Sequence, residues 1–228
     1  MLASAIKESN NKIKSFGCSF IFGSDLADTV PYTEHSTLTW PAHLAKKLKM
    51  DYSCYAWPGS GNMRILESVL SQAADGNRDL YIIGWSWIDR FDYVDTQDSW
   101  KTILPVDTAP QAEFYYKNLH SQYRDKLMTL ICMRTAIDVL NQKQIPFIMT
   151  YMDELTFETE WHTTPAVTDL QQQIRGYMTT FEEKTFLDWS RSKNYPVSKT
   201  LHPLEAAHDA GAKYMFAEIK KYMSKQLR

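Results

Sequence analysis

Cysteine is scarce, with three in 228 residues. Cys18, Cys54 and Cys132 stand far apart and form neither a disulfide framework nor a CxxC metal motif. Reduced, buried thiols in an intracellular protein are the expectation. Blocks of one charge are lacking too. Lys and Arg number 25 against 27 Asp and Glu, a net charge of −2. No basic cluster offers a nucleic-acid footprint, and the pieces AKKLKM and IKKYMSK read as solvated helix faces. No run approaches the roughly 20 apolar residues of a membrane span. The opening MLASAIKESNNKIK lacks the apolar core of a signal peptide. Neither nucleic acid nor membrane is therefore expected as a partner, and a cytoplasmic location is expected. The six histidines show no HxxxH or HExxH spacing, so no metal site is expected. No glycine-rich phosphate loop of recognised spacing is present, which makes a nucleotide-binding domain a poor reading and leaves no cofactor implied. No repeat, low-complexity tract or linker divides the chain, so residues 1–228 read as a single domain.

What is there is ample material for a core, 44% hydrophobic and 13% aromatic. Strand-like and helix-like pieces alternate. KIKSFGC (12–18), DYSCYA (51–56), DLYIIGW (79–85) and IPFIMTY (145–151) read as strands. The third is a short apolar run bounded by turn residues, as a strand buried on both faces should be. Helical spacing appears over 41–50, 63–74, 114–142 and 204–227, the first opening at Trp40-Pro41. This alternation predicts a central parallel sheet covered on both sides. Ligands of such sheets bind beyond the carboxyl ends of the strands. Four segments lie there: GCSFIFGSD, AWPGSGN, GWSWIDR and TYMDE.

The first segment places Ser19 just past a strand, between Gly17 and Gly23. A turn there would expose the hydroxyl and bring backbone amides near it, as oxyanion chemistry needs. A capping serine in a tight turn is the ordinary alternative. In the second, Gly59 and Gly61 permit close backbone approach to a ligand, and Asn62 either donates a side-chain hydrogen bond or caps the helix after it. In the third, Ser86 is a possible donor. Trp85 and Trp87 are either substrate contacts at the edge of a site or ordinary core packing. A nucleophilic serine needs a base, and His202, just before Pro203 at a loop–helix junction, is the strongest candidate. Histidine's ordinary pKa of about 6.5 suits general-base work. His208, six residues on, faces elsewhere and should pack.

With Ser19, Gly59, the GWS segment and His202 in chain order, the sequence resembles the GDSL/SGNH hydrolase superfamily of lipases, esterases and carbohydrate deacetylases. The resemblance spans residues 12 to about 217 and implies a flavodoxin-like three-layer α/β/α fold. Gly17-Cys18-Ser19 with Gly23 is similar to the family's first motif, which implies Ser19 as nucleophile. Ala56-Trp57-Pro58-Gly59 is similar to the second and implies Gly59 as an oxyanion amide. Leu201-His202-Pro203 is similar to the last and implies His202 as base. Two departures stand out. Ser86 occupies the place of the family's oxyanion asparagine, so either Ser86 or Asn62 takes that role. Lys199 stands where the family has the aspartate that orients the base, which leaves Asp188 or Glu205 as substitutes, or a backbone carbonyl in a Ser–His dyad. Segments like FGCSF and IIGW also resemble divergent members from bacteriophage genomes, which adds a virion-associated location to the cytoplasmic one.

Residues 88–112 and 153–168 read as loop insertions after strands, at the presumed active face. Their aromatics, Phe91, Tyr93, Trp100, Phe157 and Trp161, with interspersed carboxylates, suit sugar stacking and suit protein contact equally. Two functions follow. One is a serine esterase removing an acyl group, O-acetyl on a carbohydrate being one such ester. The other is a catalytically weakened binding or structural protein on the same fold, contacting glycan, another copy of itself or virion subunits.

Overall fold

The computed structural model describes residues 11–225. The opening stretch read as lacking a signal peptide lies outside them up to residue 10, as does the end of the last expected helix beyond residue 225. Strand β1 (Lys12–Phe16) runs into a single helical turn, α1 (Ser19–Phe22). Helix α2 (Trp40–Leu48), strand β2 (Asp51–Cys54), helix α3 (Asn62–Ala74) and strand β3 (Leu80–Trp85) follow. Next come β4 (Phe91–Val94), β5 (Trp100–Ile103), α4 (Pro110–Asn118) and α5 (Gln122–Gln142). Strand β6 (Phe147–Tyr151), then α6 (Pro165–Arg175), α7 (Phe186–Ser192) and α8 (Glu205–Lys225), complete the described chain.

Four strands form a parallel sheet in the order β2-β1-β3-β6. Successive side chains of a strand point to opposite faces. Leu80 and Ile82 of β3 accordingly join Ile13, Trp40, Leu44 and Met215 in the core under α2 and α8. Tyr81, Ile83 and Trp85 join Val69, Ile137 and Ile174 under α3, α5 and α6. Each such fully buried large side chain contributes about 1.5–3 kcal/mol relative to exposure. Helices cover both faces, which is the expected three-layer α/β/α sandwich, and β3 is buried along its whole length. His208 packs as expected. It is 1% exposed, and its Nδ1 accepts the Trp40 amide at the start of α2, 3.0 Å away.

Two expectations change. The helical pattern over 114–142 is two helices, because Leu119–Ser121 breaks the register and the Ser121 hydroxyl caps α5 by accepting the Arg124 amide. The 88–112 segment is not a loop throughout. It holds an antiparallel hairpin, β4 with β5, and the start of α4. Tyr115 stacks on Phe91 at 4.2 Å, over a small apolar cluster of its own. The 153–168 segment likewise carries a short 3₁₀ turn, Glu154–Thr156, and the first turn of α6.

Candidate active site

The chain runs from β1 to β2 on one side and then crosses to β3 on the other, so the crevice between β1 and β3 is the switch point where such sheets bind ligands. Helix α1 sits over it. A Cβ at Gly17 would lie 2.6 Å from Ile21 Cγ1 and 2.9 Å from the Gly84 carbonyl oxygen, and a Cβ at Gly84 would lie 2.7 Å from the same Ile21 atom. Ile21 thus rests directly on two glycines at the ends of β1 and β3. Larger residues at either position would lift α1 off the sheet. Gly23 closes the turn in the left-handed region at φ 86°, its amide donating to the Ser19 carbonyl. The small residues around Ser19 therefore seat the helix as well as turning the chain. Ser19 is the first residue of α1, is 7% exposed, and carries an amide with no acceptor inside the helix.

The base and its partner come from opposite ends of the chain. Residues 197–203 form a tight return, with Val197 bridged to Pro203 and the Ser198 amide donating to the His202 carbonyl. Lys199 lies exposed at the tip of that return, and no carboxylate stands three residues before His202. His202 Nδ1 instead lies 2.7 Å from Asp25 Oδ2. The same oxygen accepts the hydroxyls of Ser198, at 2.6 Å, and Thr200. Burial pushes the Asp25 carboxyl up, but these hydroxyls, the His202 hydrogen bond and the His202 charge outweigh it and bring it down to about 2. An ionised Asp25 places the ring proton on Nδ1 and leaves Nε2 as a proton acceptor. Phe20, next to Ser19, meets the His202 ring edge-on at 5.2 Å and the Trp87 ring at 5.3 Å.

Asp25 was not among the carboxylates weighed from sequence. Asp188 accepts the Thr185 hydroxyl at the start of α7, and Glu205 accepts the Ala27 amide. Both are engaged away from His202. The available signal was Ser198-x-Thr200-x-His202, three donors on one return that needed a shared acceptor.

The second segment meets the first where the Trp57 amide donates to the Gly17 carbonyl, 3.0 Å. Gly59 stands in the left-handed region at φ 81°. Its amide has no hydrogen-bond partner among the described residues. Gly61 has another purpose. Its amide donates to Asp92 Oδ1 at 3.0 Å, and a Cβ there would lie 2.6 Å from that carboxylate. Asn62 neither caps α3 nor carries a free donor. Its Oδ1 accepts the Ser86 amide at 2.7 Å, and its Nδ2 donates to the Ser86 carbonyl at 3.2 Å and the Thr129 hydroxyl at 3.0 Å. The side chain latches the backbone beyond β3. That use of its amide takes it out of the oxyanion role weighed from sequence. Ser86 is wholly buried, and its hydroxyl has no partner among the described residues. Ser86 follows Trp85, the last residue of β3, and Gly84 of that strand lies on the face that α1 covers. Trp85 is corrected from a substrate contact to a core residue, 0% exposed on the opposite face. Trp87 is half-buried beside Phe20, with the Arg90 guanidinium 4.8 Å from its ring centre.

No group of three or more metal-ligating side chains occurs among the described residues, and no helix there is long and apolar enough to cross a membrane. No family model matches the chain, and no curated protein matches it significantly. Solved structures do. The psychrotrophic esterase EstA from Pseudoalteromonas sp., in a structure inhibited by monoethylphosphonate, is similar over 94% of this chain and 100% of its own, with a TM-score of 0.55 and 11% identity. A carbohydrate esterase family 2 enzyme with its carbohydrate binding domain, from Corynascus thermopiles, is similar over 95% of this chain and 67% of its own, at TM-score 0.55 and 16% identity. A catalytic mutant of Axe2, an acetylxylan esterase from Geobacillus stearothermophilus, is similar over 92% and 94%, at 0.51 and 12%. At such identities the likeness is one of fold.

Proposed function

For a chain with the fold of the SGNH hydrolases, we propose the activity of a serine esterase that hydrolyses an acyl ester, O-acetyl on a carbohydrate being the ester of first choice. The observation that carries this reading is the Asp25–His202 pair, whose imidazole packs on the residue next to Ser19. In this reading Ser19 Oγ attacks the acyl carbonyl while His202 Nε2 takes its proton. The imidazolium, held by Asp25, then returns a proton to the departing alcohol, and water hydrolyses the acyl-enzyme by the same route. The amides of Ser19 and Gly59 receive the oxyanion. The Ser86 hydroxyl is the third donor. A buried hydroxyl without a partner costs about 1–3 kcal/mol, and an oxyanion would supply the missing acceptor. One such donor is worth about 10²–10³ in rate, so the Ser86 hydroxyl carries the weight that Asn62 cannot.

The test is intact-protein mass after exposure to a fluorophosphonate. One adduct on wild type and none on Ser19→Ala is expected. Equal labelling of both, or none on either, refutes an activated Ser19. The second outcome favours the alternative, a binding protein of a multisubunit or virion assembly. Its supporting observation is that the asparagine nearest the site is fully engaged in structure.

A further inference from the structure

Segments beyond the carboxyl ends of β3 and β6, together with the turn from α4 to α5, wall a cavity of about 210 Å³. That is smaller than the roughly 300–1,000 Å³ of a drug-sized pocket and suits one ring. It begins at Ile88, one residue past Trp87, whose ring meets Phe20 beside Ser19. The Ile88 amide donates to Asp153 Oδ2 at 3.1 Å, joining the two walls.

The Trp161 wall is built in advance. Lys126 of α5 is wholly buried, and its ammonium donates to the carbonyls of Glu158, at 2.6 Å, and Trp161, at 2.5 Å. It also lies 5.3 Å from the Trp161 ring centre. Gln171 donates to the carbonyls of Thr156 and Glu158, and Arg175 to that of Phe157. Four carbonyls turned inward and bonded hold this loop in one arrangement, so an incoming ligand has little ordering left to do.

The polar groups differ in how free they are. Asp125 accepts from Arg124 and lies 2.9 Å from His120 Nε2, and Asp153 accepts the amides of Ile88 and Leu155. No hydrogen bond joins the Asp89 carboxylate to another described side chain. Burial and the neighbouring Asp153 charge push that carboxyl up. An aromatic wall of Trp161 and Tyr116 with one carboxylate that no other side chain hydrogen-bonds matches a sugar ring, whose C–H face lies on an indole while its hydroxyls donate to oxygen. A cation matches less well, because two of the three carboxylates already have donors.

We propose that this cavity is a saccharide subsite, holding a sugar ring of the alcohol portion of the ester. Its role as leaving-group subsite rests on the esterase reading; the binding does not. The test is a titration of the full chain carrying Ser19→Ala with xylotriose, mannotriose and diacetylchitobiose, following the indole N–H of Trp161 by NMR. At least one saccharide should move that signal, and Asp89→Asn should weaken its affinity roughly tenfold, the scale of one charge-assisted hydrogen bond. Read by titration calorimetry, since the reporting indole is then absent, Trp161→Ala should abolish binding and Trp161→Phe should largely restore it. No movement with any of the three at millimolar concentration, or equal affinity in Asp89→Asn, overturns the proposal. So does a response to tetramethylammonium instead, which marks a cation cage. For the leaving-group role, Trp161→Ala should cost a sugar acetate at least roughly tenfold more kcat/KM than p-nitrophenyl acetate, and equal losses overturn it. Saccharide binding by a wild type that hydrolyses no ester would sink the esterase reading and leave the subsite standing.

Discussion

Replacing Asp25 by asparagine tests how the base is held. The change keeps the size and one acceptor oxygen but removes the charge 2.7 Å from His202 Nδ1. In a buried triad the same exchange costs about 10⁴ in kcat. Here the Asp25 side chain is 37% exposed, so water screens part of its field. Two unit charges about 4 Å apart attract by roughly 1 kcal/mol in water and roughly 4 kcal/mol near a protein surface. At about 1.4 kcal/mol per tenfold in rate, losing that attraction in the imidazolium-forming step slows it by roughly 10 to 10³. Thr200 Oγ1, 3.0 Å from the same ring nitrogen, remains to orient it, which also favours the lower half of that range. The assay is the second-order rate of fluorophosphonate labelling by intact mass, beside kcat/KM on p-nitrophenyl acetate. Adding Thr200→Val to Asp25→Asn should slow both further, because the residual orientation is then gone. Labelling by Asp25→Asn at the wild-type rate, with Ser19→Ala unlabelled, would show that the carboxylate has no part in activating Ser19.

Three more outcomes are expected. Gly84→Ala should cost about 1–3 kcal/mol as an overpacked contact with Ile21 and slow labelling as well, since Ile21 carries α1; an unaltered urea midpoint contradicts this. Asn62→Ala should be strongly destabilising, as it leaves the buried Ser86 amide and carbonyl without partners at about 1–3 kcal/mol each. Asn62→Asp, which retains the acceptor alone, should lie between it and wild type in the same melt. Stability should fall with acid in two stages. Burial pushes His208 down to about 3 from an ordinary 6.5, so the unfolded chain takes up a proton the native state refuses, and stability declines as pH drops from about 6.5 towards 3. Asp25, held at about 2, adds a decline only below its ordinary 3.8. His208→Gln should flatten the first stage and leave the second, read as urea midpoints across pH.

The layered fold was readable because each of its signals is local. β3 is an unbroken apolar run since both its faces are covered, and Trp40-Pro41 opens a helix because proline costs nothing at a first turn. Ser19 stood out because it follows a strand that must end, between Gly17 and Gly23, and His202 because it precedes the proline that can open a helix. The hairpin of 91–103 did not stand out. It rests on Asp92 reaching across to the Gly61 and Arg64 amides and on Tyr115 stacking on Phe91, contacts between distant segments.

Residue identity and spacing were enough to place a serine and a histidine at strand and helix ends. They could not pair His202 with Asp25, 177 positions away, because a carboxylate's partner is set by which loops the sheet brings together. Nor could they tell Trp85 from Trp87. Strand alternation would put both on one face, but β3 ends at Trp85, and the chain leaving the sheet turns Trp87 to the opposite layer beside Phe20. The same holds for Asn62, whose amide could serve a ligand or the backbone until folding laid Ser86 against it.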